Sequence, residues 1–94
     1  MDNYHRPMKE AFRDLLRLED ALDKACQDDT LFIRFIRTGT NEYGVQAAML
    51  ALTVKVPFEA IFAWQNGKDL PASEDRENIL RAMADLVARD LDKT

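Results

Sequence analysis

Apolar residues recur along most of the chain at steps of three and four, the spacing that places them on one face of an α-helix. The longest such run covers residues 8–26, and later runs begin near residues 31, 43, 58 and 73. No stretch alternates apolar and polar residues in the way that a half-buried strand does. The pattern therefore predicts an all-α protein of about five helices.

Residues that favour helix ends refine these boundaries. Pro7 suits the first turn of a helix, where its missing N–H would have no partner. The side chains at residues 28–30 can cap the second helix, and Ser73 can cap the last one. Gly39 and Gly67 can adopt the left-handed conformation that ends a helix, so we expect one helix to stop at each of them.

These boundaries predict a single helical domain at residues 7–94, after a flexible tail at residues 1–6. Within the domain, residues 7–28 are expected to form one long amphipathic helix, and residues 29–94 a core of shorter helices. A chain of 94 residues can enclose one hydrophobic core but not two.

In the stretch 46–71, an apolar helical pattern runs to Val54, a short break follows at residues 55–57, and a second amphipathic helix follows the break. The apolar positions of the stretch hold Leu50, Ala51, Val54, Val56, Ile61 and Trp64, and its last residues include Asn66, Gly67, Lys68, Leu70 and Pro71. The first set matches the buried positions, and the second set the exit, of the helix-turn-helix in the lambda-repressor-like, or Xre-type, family, which this stretch resembles. The resemblance implies a lambda-repressor-like helix-turn-helix domain, here preceded by one long amphipathic helix. It also implies DNA binding, which is the family's usual activity.

The exposed positions of the second motif helix differ from those of the family, which reads base edges there with hydrogen-bonding side chains. In this chain the positions hold Phe58, Glu59, Phe62 and Ala63. Apolar side chains can contact thymine methyl groups but form no hydrogen bonds, and phosphates repel a carboxylate. The two phenylalanines could face outward or pack inward against the long N-terminal helix.

Two further positions depart from the family pattern. Lys55 stands in the turn where the family usually has glycine, so it must adopt a left-handed backbone or shift the turn. Ala47 stands where a glutamine commonly contacts phosphate, and Gln46, one residue earlier, points about 100° away from that position. Both departures weaken the family's means of contacting DNA.

The charge distribution also disfavours DNA binding. The net charge of -4 and the pI of about 4.9 provide no long-range attraction for a polyanion. Four basic residues, Arg34, Arg37, Lys55 and Lys68, lie in or near the motif. Lys55 and Lys68 flank the second motif helix, where they could contact a DNA backbone.

The sequence contains no recognisable catalytic or metal-binding pattern. His5, the only histidine, lies in the predicted tail, and Cys26 is expected to be a small core residue because no histidine is placed to activate it. The acidic clusters at 28–29 and 74–77 fit helix starts and lack metal-ligand spacing. We therefore expect a binding protein, not an enzyme, with no metal or cofactor. The lack of a signal peptide or a membrane-length apolar run favours a cytoplasmic location.

Two functions fit these observations. In the first, a small transcriptional regulator uses the helix-turn-helix scaffold to bind another protein, for example as an antiactivator that sequesters a transcription factor. The residues predicted to contact this partner are Lys55, Phe58, Glu59, Phe62, Ala63 and Lys68. In the second, the protein is an Xre-type repressor that contacts DNA through Gln46, Lys55, Phe58, Glu59, Phe62 and Lys68. The helix at residues 7–28 could join two copies into a dimer.

Overall fold

The structure, a computed structural model, describes residues 5–92. Six helices occupy this range: α1 (His5–Leu15), α2 (Glu19–Gln27), α3 (Asp29–Asn41), α4 (Ala47–Val54), α5 (Phe58–Gln65) and α6 (Ser73–Asp92). No strand occurs between residues 5 and 92, which confirms the predicted all-α class. The number of helices is six instead of five, because the predicted N-terminal helix is divided.

The single long helix predicted at residues 7–28 is wrong, because a short turn separates α1 from α2. Phe12 and Leu16 are buried before or at this turn, and Ala21 and Ala25 are buried after it. On an unbroken helix, at about 100° per residue, the two alanines would point about 140–180° away from Phe12 and Leu16. Both α1 and α2 pack against α6. The turn rotates α2 so that both sets of side chains reach the same core.

The N-terminal boundary also differs from the prediction. His5 and Arg6, which were expected to belong to a flexible tail, form the first residues of α1, and Pro7 lies in its first turn as predicted. The Arg6 guanidinium donates to the Leu91 carbonyl (3.1 Å) and pairs with Glu10 (3.3 Å), which holds this turn in the fold. The rest of the predicted tail, residues 1–4, lies outside the described residues.

Gly39 does not end α3. The helix begins after Asp28, whose carboxylate accepts the backbone N–H of Thr30 (2.9 Å), and it continues past Gly39 to Asn41. Gly39 is buried, and a Cβ at this position would lie 2.4 Å from Sδ of Met83 on α6. The glycine therefore permits close approach of α3 and α6 instead of a left-handed turn.

The helix predicted from residue 43 begins only at Ala47. Tyr43 is buried with its ring centroid 4.9 Å from that of Phe12, and Val45 is buried beside it. Gly44, between them, has a φ of 71°, in the left-handed region that favours glycine. Packing of these two side chains into the core thus delays the start of α4.

Ser73 is the first residue of α6 instead of its cap. Its hydroxyl donates to the Cys26 carbonyl (2.8 Å) at the end of α2, so it joins two helices. Cys26 itself is half-buried.

Arg76 binds the first turn of α6 to its neighbours. Its guanidinium, almost completely buried, donates to the carbonyls of Pro71 (3.0 Å) and Ala25 (3.2 Å) and to the carboxylate of Asp29 (2.7 Å). The guanidinium also lies 5.2 Å from the centre of the Phe32 ring. One side chain therefore links α6 to both α2 and α3.

The core surrounds α6, which contacts α1, α2, α3 and α4. Its buried apolar residues are Ile79, Leu80, Met83, Ala84, Val87 and Leu91. Helix α5 reaches the core through α3 and α4. The α4–α5 pair is thus held at one side of the domain, where the outer faces of both helices meet solvent.

Among residues 5–92, no single helix is long and apolar enough to cross a membrane. Helices α4 and α5 would meet the length and composition criteria only if counted together, and they form a bent pair.

Candidate functional site

Helices α4 and α5 are joined by the three residues at 55–57, and the chain bends by 113° between them. Lys55 has φ 60° and ψ 48°, which is the left-handed conformation. The first of the two alternatives for this position is therefore confirmed. The Lys55 N–H donates to the Ala51 carbonyl, so the turn closes α4 although it lacks a glycine.

The inner faces of α4 and α5 are buried as the sequence predicts. Leu50 and Ala51 on α4 and Ile61 and Trp64 on α5 have almost no exposed surface. The Trp64 ring meets that of Phe32 edge-on, and its Nε1 donates to a backbone carbonyl in the segment after α5. Val54 and Val56 are partly buried against the same core. These contacts fix the orientation of α5.

Phe58 and Phe62 lie on the outer face of α5, so the alternative in which they pack inward is wrong. Each is 45% exposed, and their rings form an edge-to-face pair with centroids 4.8 Å apart. The inner face of the helix is already occupied by Ile61 and Trp64. A spacing of four residues places the two phenylalanines next to each other, one turn apart.

The phenylalanine pair forms one wall of an open groove of about 550 Å³, which we call the aromatic groove. The other walls are the end of α3, with Thr40 and Asn41, and the segment 44–48 that leads into α4. Gln65 also lines the groove and donates to the Thr40 hydroxyl (2.7 Å), which fixes α5 to α3. None of the lining side chains is ionisable. The groove therefore offers apolar and neutral hydrogen-bonding contacts but no charge.

The structure brings only some of the predicted contact residues together. Gln46 lines the aromatic groove with the two phenylalanines, whereas Lys55 lines a different groove between the α4–α5 turn and α6. Glu59, Ala63 and Lys68 line neither of these two grooves; Ala63 is half-buried and the other two are exposed. Neither lysine lines the aromatic groove.

Leu52, which no sequence pattern singled out, extends the apolar surface. It is 74% exposed and lies one turn after Ala48, which lines the aromatic groove. Seven of the eight residues of α4 are apolar, but only Leu50 and Ala51 are buried. An apolar helix in a small domain cannot bury every face, and this composition was the signal that some of α4 must be exposed.

Within residues 5–92, no group of three or more His, Cys, Asp and Glu side chains is placed to hold a metal ion. Comparison of the chain with protein-family models, with curated proteins and with solved structures finds no significant match.

Proposed function

We propose that the protein is a small transcriptional regulator that uses a helix-turn-helix scaffold to bind another protein, in the manner of an antiactivator that sequesters a transcription factor. The observation that carries the proposal is the exposed Phe58–Phe62 pair in a groove without ionisable side chains. A pair of half-exposed aromatic rings is typical of the centre of a protein interface.

Support for the helix-turn-helix scaffold comes from the geometry of α4 and α5. A three-residue connection and a bend of 113° agree with the short turn and the angle of about 90–120° that characterise this motif. The buried residues of both helices are those that the family resemblance assigns to the scaffold.

The same face is unsuited to reading DNA. A DNA-reading helix needs hydrogen-bonding side chains for base edges. The exposed positions of α5 instead include two phenylalanines and Glu59, and no ionisable side chain lines the aromatic groove beside them. A protein partner suits this composition, since apolar and aromatic surface gains from the removal of water and a partner can hydrogen-bond to the neutral polar groups.

The test is the double variant Phe58→Ala with Phe62→Ala. The wild-type chain is used to capture partners from the native host, and each captured transcription factor is then purified and titrated against both proteins. We expect the variant to lose binding while its helical circular dichroism is unchanged, because both rings are half-exposed. Loss of helical signal, or binding equal to that of the wild type, would refute the proposed site.

The matched control is Met8→Ala with Leu18→Ala. Both residues are exposed; Met8 lies near the start of α1, and Leu18 lies at the turn between α1 and α2, so the control removes apolar surface of a similar kind elsewhere. It should bind the partner as the wild type does. The oligomeric state of the control variant is measured separately by sedimentation. A change relative to the wild type would show that the segment at residues 7–28 contributes to self-association.

A DNA titration separates the proposal from the Xre-type repressor. Operator-length duplexes from the host's own promoters are titrated at about 50 and 200 mM salt, a range over which phosphate contacts lose most of their affinity. We expect weak binding without sequence preference. Tight, sequence-dependent binding with a steep salt dependence would establish the repressor instead.

A further inference from the structure

We infer that the partner docks through an acidic amphipathic helix, whose apolar residues occupy the aromatic groove and whose carboxylates meet Arg34 and Arg37 on α3. This inference rests on the proposed function and adds the chemistry of the partner segment. The inference is based on a second groove, adjacent to the aromatic groove but lined by two arginines, which we call the arginine groove.

The arginine groove has a volume of about 390 Å³ and follows the outer face of α3. Arg34 and Arg37 line it, together with the threonines at 30 and 38 and the side chain of Glu42. Since Glu42 is the one acidic residue of this lining, the groove carries a net positive charge in a chain whose overall charge is -4. The sign of the charge at this groove is therefore opposite to that of the chain as a whole.

The two arginines are not neutralised by the protein itself. Six of the other basic residues in the described part of the chain form ion pairs, whereas Arg34 and Arg37 form none there. Guanidinium groups match carboxylates with two parallel hydrogen bonds, so unpaired arginines on one helix face favour a carboxylate-bearing ligand. The spacing of three residues places both on the same side of α3.

The segment after α5 passes close to this groove. A Cβ on Gly67 would lie 3.3 Å from Cδ1 of Ile33, and Ile33 lines the arginine groove. Lys68 directly follows Gly67, is exposed, and has no ion pair among residues 5–92. Lys68 does not line the groove, so the positive charge of the groove itself comes from the two arginines.

Asn41 lines both grooves, so they form one continuous surface. Along α3, at about 1.5 Å per residue, Arg37 lies about 6 Å and Arg34 about 10 Å from Asn41. These distances correspond to one and two turns of a bound helix. A partner helix with apolar residues over Phe58 and Phe62 can therefore place carboxylates opposite the arginines within two further turns.

Residues 5–92 contain no strand edge, so the helical form of the partner segment is inferred from the groove between helices that it would occupy. A partner cannot add a strand to this surface, whereas an amphipathic helix can lay its apolar face into a groove between helices. Charge complementarity fixes the direction of the bound partner helix along the two grooves, with its acidic turns over α3 and its apolar turns over α5.

The test uses the full chain and two fluorescein-labelled peptides of about 16 residues, long enough for four helical turns. The first peptide carries leucines at helical spacing and glutamates in the following two turns; in the second, every glutamate is replaced by glutamine. Binding is measured by fluorescence anisotropy. We expect the acidic peptide to bind about tenfold more tightly, since two exposed charge pairs together supply that factor.

The charge-reversal variant Arg34→Glu with Arg37→Glu should abolish the preference for the acidic peptide. Its matched control is Lys24→Glu with Arg81→Glu, which changes the net charge equally at two exposed basic residues that line neither groove. The control should keep most of the preference. Circular dichroism of both variants establishes that they are folded.

Equal binding of the two peptides, equal effects of the two variants, or no binding of either peptide would overturn the inference. Failure of this kind is distinguishable from failure of the proposed function, which is judged on the native partner with the Phe58→Ala, Phe62→Ala variant. If both peptides bind equally and the phenylalanine variant loses both, the docking face stands and only the acidic character of the partner is refuted.

Discussion

Replacement of Gly39 by alanine tests the close contact between α3 and α6. A Cβ at this position would lie 2.4 Å from Sδ, 2.9 Å from Cε and 3.3 Å from Cγ of Met83. Favourable contacts between such atoms occur at about 3.5–4.0 Å, so the methionine side chain or the helix must move. Met83 has no exposed surface, and its displacement therefore disturbs the centre of the core.

Two effects of opposite sign determine the magnitude. Overpacking a filled core costs about 1–3 kcal/mol. Removal of a glycine from a helix interior recovers about 1 kcal/mol. We therefore expect Gly39→Ala to lower the free energy of unfolding by about 1 kcal/mol in an otherwise unchanged protein.

A double-mutant cycle with Met83→Ala separates the two effects. Without the methionine side chain, all three short contacts disappear, and Gly39→Ala should then raise the free energy of unfolding by about 1 kcal/mol. The coupling between the two positions should be about 1–3 kcal/mol. Urea denaturation, followed by circular dichroism and by the fluorescence of Trp64, supplies the four free energies.

A coupling near zero, with Gly39→Ala stabilising in both backgrounds, would refute this reasoning. The glycine would then only destabilise α3 relative to alanine, and it would not be needed for a close approach of α3 to α6. Strong destabilisation in both backgrounds would also refute it, since the clash would lie with atoms other than those of Met83.

Two other predictions concern stability. Arg76→Met should lower the free energy of unfolding by about 2–4 kcal/mol, because it removes charge-assisted hydrogen bonds and leaves two backbone carbonyls without their donor. The exposed Arg81→Met, as a control, should change it by less than about 0.5 kcal/mol, and equal urea midpoints for the two variants would contradict the role given to Arg76. Lys55→Gly should raise the free energy of unfolding by about 0.5–1 kcal/mol, because it relieves the left-handed backbone at this position. Lys68→Gly, where φ is not positive, should lower it, and a loss of thermal stability in both glycine variants would show that Lys55 is not strained.

The sequence predicted the helices whose buried face is continuous. For α6, the apolar spacing that begins near residue 73 predicted one buried face, because this helix packs along one face from end to end. For α5, the buried Ile61 and Trp64 were predicted by the family resemblance and not by spacing alone. The αL conformation at Lys55 was one of two alternatives, and it follows from the need to close α4 in three residues.

Predictions from local sequence patterns failed where packing between distant helices decided the role of a residue. The pattern at residues 8–26 includes Met8, Leu15 and Leu18, which are exposed in the structure, so its apparent continuity hid the turn between α1 and α2. Gly39 and Ser73 were assigned to helix ends by their residue types. In the fold they serve contacts between distant helices, which no local pattern encodes.

For the candidate site, the sequence by itself determined that α5 carries two phenylalanines at a spacing of one turn and lacks the side chains of a DNA-reading helix. It did not determine whether those rings face the core, because a helix with apolar residues on several faces can be rotated to bury either side. Tertiary packing decided this: Ile61 and Trp64 contact the core, and Phe58 and Phe62 are left at the surface. Only the packing of α3 beside α5 placed the aromatic groove next to the arginine groove, with Asn41 in both linings, because contacts between helices bring together residues that are far apart in the chain.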